Sequence, residues 1–371
     1  MKALTLQIQV AMISGVVQNL EIKSWCDMEQ NKRLTVKQLA KHIGVSVATL
    51  DRVLNNRGNV KPATYQLVMD KIKEMNYTPN KSASFLSRKN EYTMAIVFPE
   101  LPEYFWMQVE KGVQVAIEEF RDYGLHVHVI RSEKYDLDRQ KEIVAGLVDS
   151  GKYDAIAISP NDPQEFADII DRGVDRGIAI CTFNSDSPLS KRLFYVGCDY
   201  RVAGRLAADM LCKLIGPKTR IGLIMSYTNF QMQQKVTGFR EVVAEYGHIE
   251  LVGPLKLQQD EYDSLDTFID YFNQVDGIYV SSARLHTVAK HLAAANLSKP
   301  IALIGHDMTE EIYDYLRKGV VTATICQDPV NQGYLTVKSM FEYLVSGEKV
   351  NEKENITKLE LVMKENARYY I

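Results

Sequence analysis

The sequence predicts an all-α helix-turn-helix head joined to an α/β body of two lobes, each built on a doubly wound parallel sheet. Three observations predict it. A short basic segment shows helical periodicity around a glycine-marked turn. The remainder alternates short apolar runs with amphipathic helices, and it is too long for a single open sheet. Between Lys32 and Asn90, twelve Lys/Arg against three Asp/Glu give +9, which leaves −12 to the rest of a chain whose total is −3. A basic module on an acidic body points to nucleic acid for the first and a different partner for the second.

Length and composition bound the remaining choices. At 371 residues the chain is expected to hold two or three domains, and 46% hydrophobic with 25% charged residues is ordinary for a water-soluble fold. The five cysteines (Cys26, Cys181, Cys198, Cys212 and Cys326) are scattered with no C-x-x-C pair. That pattern argues against a zinc ribbon or a disulfide framework and fits a reducing, cytoplasmic compartment. No apolar run approaches the eighteen residues of a membrane span. Residues 1–27 hold a weakly apolar stretch broken by Gln7, Gln9 and Gln18, without a convincing cleavage site. We read Met28 as the start of the protein proper, with a functional N-terminal arm as the other reading; the extension as a whole runs over residues 1–31.

The head covers residues 32–78. Thr35 is placed to cap a first helix, in which Val36, Leu39, Ala40 and Ile43 recur at helical spacing. Gly44 permits the turn, and Ser46 caps a second helix over Val47–Leu54. Val45, Leu50, Val53 and Leu54 point inward, leaving Val47, Ala48, Thr49 and Arg52 on the outer face. Small residues at the start of a reading helix let its backbone approach base edges, and Arg52 one turn on can reach guanine or phosphate. A third helix follows with Pro62 near its start and Tyr65, Val68, Ile72 and Met75 inward.

Within this module stand Val45-Ser46-Val47-Ala48-Thr49, Arg52-Val53-Leu54-Asn55, Asn76-Tyr77-Thr78-Pro79-Asn80, and then Ala83 and Leu86. That ordered set resembles the DNA-binding head of the lac-repressor (LacI/GalR) family and spans the whole module. The resemblance implies that Val47, Ala48 and Arg52 face bases in the major groove while Ser46, Thr49 and Asn55 contact phosphate. It also implies a hinge helix and linker at 79–91 that carries Leu86 into the minor groove, where an apolar wedge kinks DNA. Asp51 departs from the family's usual serine, which puts the local phosphate contact in doubt and requires the acid to turn inward or pair.

The body covers residues 92–371. Apolar runs at Met94–Phe98, Leu125–Ile130, Ala155–Ser159, Ile178–Phe183, Ile221–Met225, Gly277–Val280 and Ile301–Gly305 read as strands. Helices are expected at Met107–Tyr123, Gln164–Arg176 and Val202–Ile215, among others. Ligands in such folds sit at the carboxyl ends of the strands, where polar residues gather here: Ser159–Asp162, Asn184–Asp186, Ser281–Arg284 and His306-Asp307. The stretches AIAISPND, ICTFNSD, YVGCDYRVAGRLAADML and ALIGHDMTEEIYDYL resemble the type I periplasmic sugar-binding fold carried by the same regulators, and most of all its ribose-type branch.

That resemblance implies one lobe of 92–198 with 327–355 and another of 199–326, the remainder being C-terminal. It implies an effector cleft formed by Phe105, Trp106, Ser159, Asn184, Gln233, Ser282, Asp307 and Gln327. An aromatic pair over a sugar face, with amide and carboxylate groups for its hydroxyls, suits a polyol. Asn184-Ser185 stands where ribose binders carry Asp-Arg, which puts ribose itself in doubt.

No G-x-G-x-x-G, Walker A, G-x-S-x-G or H-E-x-x-H is present, so neither cofactor nor catalysis is expected. The pair His126 and His128 shares one strand face and reads as polar surface ahead of a metal site. The expected partners are double-stranded operator DNA, a small sugar or sugar derivative, and a second copy of the chain. Repression is the expected mode. A sugar-binding protein of a transport system is the alternative, but it leaves the basic head unexplained.

Overall fold

The computed structural model describes residues 36–54, 58–75, 91–133, 136–216, 219–226, 230–257, 265–347 and 353–371. The chain divides into two compact units between Lys89 and Asn90.

In the first unit, α1 (Val36–Ile43), α2 (Val47–Leu54) and α3 (Pro62–Glu74) enclose a small core. Gly44 ends α1 with a left-handed backbone, φ 79°, and the amides of Gly44 and Val45 both return to the Ala40 carbonyl at 3.0 Å. The side chain of Ser46 then accepts the Thr49 amide at 3.0 Å and starts α2. Leu39, Ala40, Leu50, Val53 and Val68 are buried, with Ile43, Val45, Leu54, Ile72 and Met75 packed around them. Tyr65 was expected inward and is instead 38% exposed. Three residues from Val68, it sits about 60° around the helix from the centre of the buried stripe, where its hydroxyl can stay in water.

The second unit holds two six-stranded sheets. The first contains β1 (Tyr92–Pro99), β2 (Leu125–Ser132), β3 (Ala155–Ile158), β4 (Ala179–Phe183), β5 (Tyr195–Gly197) and β11 (Glu354–Ile356), in the order β11-β5-β4-β3-β1-β2. The second contains β6 (Arg220–Met225), β7 (Glu250–Lys256), β8 (Gly277–Val280), β9 (Ala302–His306), β10 (Ala323–Cys326) and β12 (Glu360–Val362), in the order β12-β10-β9-β8-β6-β7. All neighbours run parallel except β12, which lies antiparallel to β10. The chain therefore crosses between sheets after β5, after β10, and again between β11 and β12.

Burial explains which strands were legible. The inner strands β3, β4, β8 and β10 are buried along their whole length, as helix-covered parallel strands must be. Edge strand β7 is only half-buried and interrupted by Gly253-Pro254, so it forms no apolar run. The short strands β5, β11 and β12 hold three residues each.

Helices pack in matched pairs. In the first lobe α4 (Glu103–Phe120) crosses α12 (Pro329–Ser346), and in the second α7 (Tyr200–Ile215) crosses α8 (Phe230–Tyr246). Each crossing is made by glycines whose α-carbons lie on the partner's backbone: Gly112 and Gly333 in one pair, Gly204 and Gly238 in the other. The helix expected at Met107–Tyr123 begins four residues earlier, so Phe105 and Trp106 fall in its first turn. The one expected from Gln164 is shorter, α6 (Ala167–Asp175). Helix α7 starts at Tyr200 because Asp199 caps it, accepting the Val202 amide at 3.0 Å.

Candidate functional site

On the head, the start of α2 offers a small-residue surface. Val47 is 44% exposed, Ala48 and Arg52 are exposed, and Thr49 is half-buried. Ser46 shares a 2.8 Å hydrogen bond with the Thr49 hydroxyl, so both hydroxyls are ordered by the cap itself. Asp51 is half-buried. Asn55 and Leu86 lie outside the described residues.

On the body, a cavity of about 310 Å³ opens between the lobes at the carboxyl ends of the strands. The first lobe lines it with Phe105 and Trp106 from α4, Ser159 to Asp162 after β3, and Asn184-Ser185 after β4. The second contributes Tyr200, Gln231, Met232 and Lys235 from α7 and α8, then Ala283 and Asp307, with Gln327 at the crossover after β10. Six of the eight expected cleft residues thus meet here: Phe105, Trp106, Ser159, Asn184, Asp307 and Gln327.

Two do not, and helix phase and strand depth give the reasons. Gln233 is exposed on the far side of α8. Residues 231, 232 and 235 share the inward face of that helix, and 233 lies about 200° around from 231. Ser282 is fully buried beneath the cavity floor, its hydroxyl unpartnered, while its neighbour Ala283 reaches the surface of the cleft.

The aromatic wall is rigid. Trp106 stacks on Phe98 with centroids 5.2 Å apart and meets Phe105 and Phe183 edge-on. Its indole Nε1 donates to the Leu101 carbonyl at 3.0 Å, which fixes the ring plane. Beside it, fully buried Gln140 holds the loop after β3: its Nε2 donates to the Ser159 carbonyl at 3.1 Å, and its Oε1 accepts the Asn161 amide at 2.8 Å.

The electrostatic centre is a pair the sequence reading only half supplied. Asp307 accepts from Gln327 Nε2 at 2.5 Å and from the Tyr104 hydroxyl at 3.4 Å. Burial pushes its carboxyl above the usual carboxylate range, opposed by the Lys235 ammonium and by those two donors. Lys235 is 3% exposed, with its ammonium 5.4 Å from the centre of the Tyr200 ring. Burial lowers its pKa, and Asp307 and Cys198 oppose the shift. At its centre the cleft thus presents a buried acceptor carboxylate, Asp307, and a buried donor ammonium, Lys235, beside the aromatic wall, a combination that hydrogen-bonds neutral hydroxyls strongly. Lys235 had a signal in the sequence: with Gly238, Phe239 and Val242 it forms one helical stripe, and that stripe faces inward.

Other sequence candidates fall elsewhere. His126 and His128 are exposed on edge strand β2, and His128 Nδ1 hydrogen-bonds the Tyr153 hydroxyl at 3.0 Å. Cys181, Cys198, Cys212 and Cys326 are buried free thiols, and burial raises the Cys198 pKa to about 12. Among the described residues no helix is long and apolar enough to cross a membrane.

Comparison with known proteins matches both units. Residues 35–80 fit the family of bacterial regulatory proteins of the lacI type, and residues 94–349 fit the periplasmic binding protein domain. The ribose operon repressor of Halalkalibacterium halodurans is 25% identical over 290 residues, covering 74% of this chain and 80% of that protein. Catabolite control protein A of Staphylococcus xylosus is 24% identical over 213 residues, 57% of this chain and 62% of that relative's length. Among solved structures, GanP, a glucose-galactose binding protein from Geobacillus stearothermophilus, superposes with a TM-score of 0.65 at 27% identity, covering 75% of this chain and 99% of GanP. The two matched ranges correspond to the helix-turn-helix head and to the two-sheet body. The body of the chain belongs to the periplasmic binding protein domain family, and it is preceded in the sequence by a head domain of the lacI family of bacterial regulatory proteins.

Proposed function

We propose that this protein is a sequence-specific DNA-binding transcription regulator, acting as a repressor, whose operator affinity is set by a small carbohydrate bound between its lobes. The observation that carries the reading is the pairing, in one chain, of a lacI-type head with a cleft walled by Phe105 and Trp106 and centred on Asp307 and Lys235. In this reading Val47, Ala48 and Arg52 face base edges, and Ser46, Thr49 and Asn55 meet phosphates. Leu86 enters the minor groove. In the cleft, Trp106 and Phe105 cover the apolar face of a sugar ring. Ser159, Asp307, Gln327 and Lys235 exchange hydrogen bonds with its hydroxyls.

A second copy of the chain completes the device. One head touches too little DNA, and a two-fold pair places equivalent helices one DNA turn apart on a pseudo-palindromic site. The protein acts in the cytoplasm, where operators are. A transport role leaves the head at residues 35–80 without a use, and no catalytic step is assigned to the cleft. Ligand binding that releases DNA is the expected sign.

The test has two stages. Selection of bound fragments from random DNA with the full chain must enrich one pseudo-palindromic sequence. A titration of pentoses, hexoses and their derivatives must then change the mobility shift of that fragment. Failure to enrich any sequence defeats the regulator reading, and insensitivity to every sugar that binds the cleft defeats its coupling.

A further inference from the structure

The two sheets repeat one another, strands β1 to β5 of the first matching β6 to β10 of the second in order and direction. The repeat sets corresponding residues opposite each other. Asn184 follows β4 and Asp307 follows β9, and both hold a left-handed backbone, φ 55° and 70°. Non-glycine residues persist in that region only where surrounding contacts hold them. Tyr104 and Gln231 are each the second residue of the helix after their sheet's first strand.

Each of these helix residues reaches the turn of the other lobe. The Tyr104 hydroxyl donates to Asp307 Oδ2 at 3.4 Å. Gln231 Nε2 lies 3.1 Å from the Asn184 carbonyl and 2.9 Å from its Oδ1, donating to both. Tyr200, also in the second lobe, adds a hydrogen bond to the same carbonyl at 2.8 Å. The remaining polar atom of the Asn184 side chain, Nδ2, donates to Gln332 Oε1 at 3.2 Å. Both polar atoms of that side chain are therefore engaged by the protein itself.

We propose that Gln231–Asn184 and Tyr104–Asp307 are two symmetry-related latches by which the chain holds its own lobes together. Closure then has a component supplied by the protein, and the effector supplies the rest. Asn184 acts as a positioning residue in this scheme, while Asp307 serves both a latch and the effector. The inference rests on the cleft being the effector site. Its physical content is that a ligand shifts a two-state equilibrium only by its differential affinity, so an internal latch reduces what the ligand must contribute.

The latch is tested in the full chain without sugar or DNA, so its failure is distinct from failure of the regulator reading. Labels at Gln164→Cys and Lys290→Cys, exposed positions on the two lobes, report the interlobe distance distribution by electron spin resonance. The protein with native latch residues is expected to show a dominant short distance. Gln231→Ala combined with Tyr104→Phe should raise the open-to-closed ratio roughly ten- to thirtyfold, as the loss of their three interlobe hydrogen bonds would, each at the low end of the net range. Each single change should fall between. Should Gln231→Ala lower the melting temperature, Gln231→Met, which keeps the bulk and removes the donor, must still open the cleft. A double variant with an unchanged distribution overturns the proposal. So does a long distance as the main population before any latch change, or a Gln231→Met chain that stays closed.

Discussion

Gly204 lies directly against the backbone carbonyl of Lys235, so closely that a β-carbon at 204 would overlap that oxygen. The contact sets how near α8 stands to α7, and therefore how deep the Lys235 ammonium sits in the cleft. Gly204→Ala is expected to destabilise the body by about 3 kcal/mol, at the upper end of overpacking costs, and to weaken sugar binding by moving Lys235. Gly146, inside helix α5 (Leu137–Ser150), has nothing within reach of an added β-carbon. Gly146→Ala should stabilise by about 0.5–1 kcal/mol with binding unchanged. Thermal denaturation of the two variants checks the contrast, and equal effects would refute it.

Arg52 projects from the exposed face of α2, one turn beyond Val47 and Ala48. Arg52→Ala should remove about 1–3 kcal/mol of discrimination between operator and unrelated DNA. Sugar binding to the body should be untouched. Mobility-shift titrations on both DNAs read the ratio, and an unaltered ratio would remove Arg52 from base reading.

Lys235 holds down the pKa of Asp307 against burial. In Lys235→Met the Asp307 carboxyl should therefore titrate higher still, as followed by carboxyl carbon NMR. The sign for stability follows. A carboxyl whose folded pKa is raised binds its proton more tightly when folded, so this group favours the fold increasingly as pH falls from neutrality through the raised pKa. That gain is complete only below the ordinary carboxylate value, and Lys235→Met should extend its window upward. An Asp307 titration that stays put or moves down in the variant contradicts the assigned coupling.

The sequence holds two tryptophans, Trp25 in the N-terminal extension and Trp106 in the cleft wall. Sugar binding should therefore change the intrinsic fluorescence through Trp106. Trp106→Phe keeps an aromatic face but loses the Nε1 donor to Leu101, so affinity should fall about tenfold as the wall loses its anchor. A fluorescence change that survives in Trp106→Phe would place the binding elsewhere.

Local chemistry determined what the sequence alone could determine. Gly44 and Ser46 fix the helix-turn-helix because a left-handed stop and a side-chain cap act within a few residues. The buried inner strands announce a parallel sheet because both their faces must be apolar. Asp307 was legible at a strand end, where the topology of such sheets brings residues together, whereas Gln327 followed only from the family resemblance. Tertiary packing decided the rest. Gln231 and Lys235 enter the cleft while Gln233 leaves it, because the glycine crossing of α7 and α8 sets the rotation of a helix whose polar residues run nearly all round. Asn184 lines the cleft but spends its side chain on Gln231 and Gln332, residues 47 and 148 positions away in the chain. Gln231 meets Asn184 only where the second lobe closes on the first, and Gln332 only because the chain returns to the first lobe after β10; no local pattern encodes either distance.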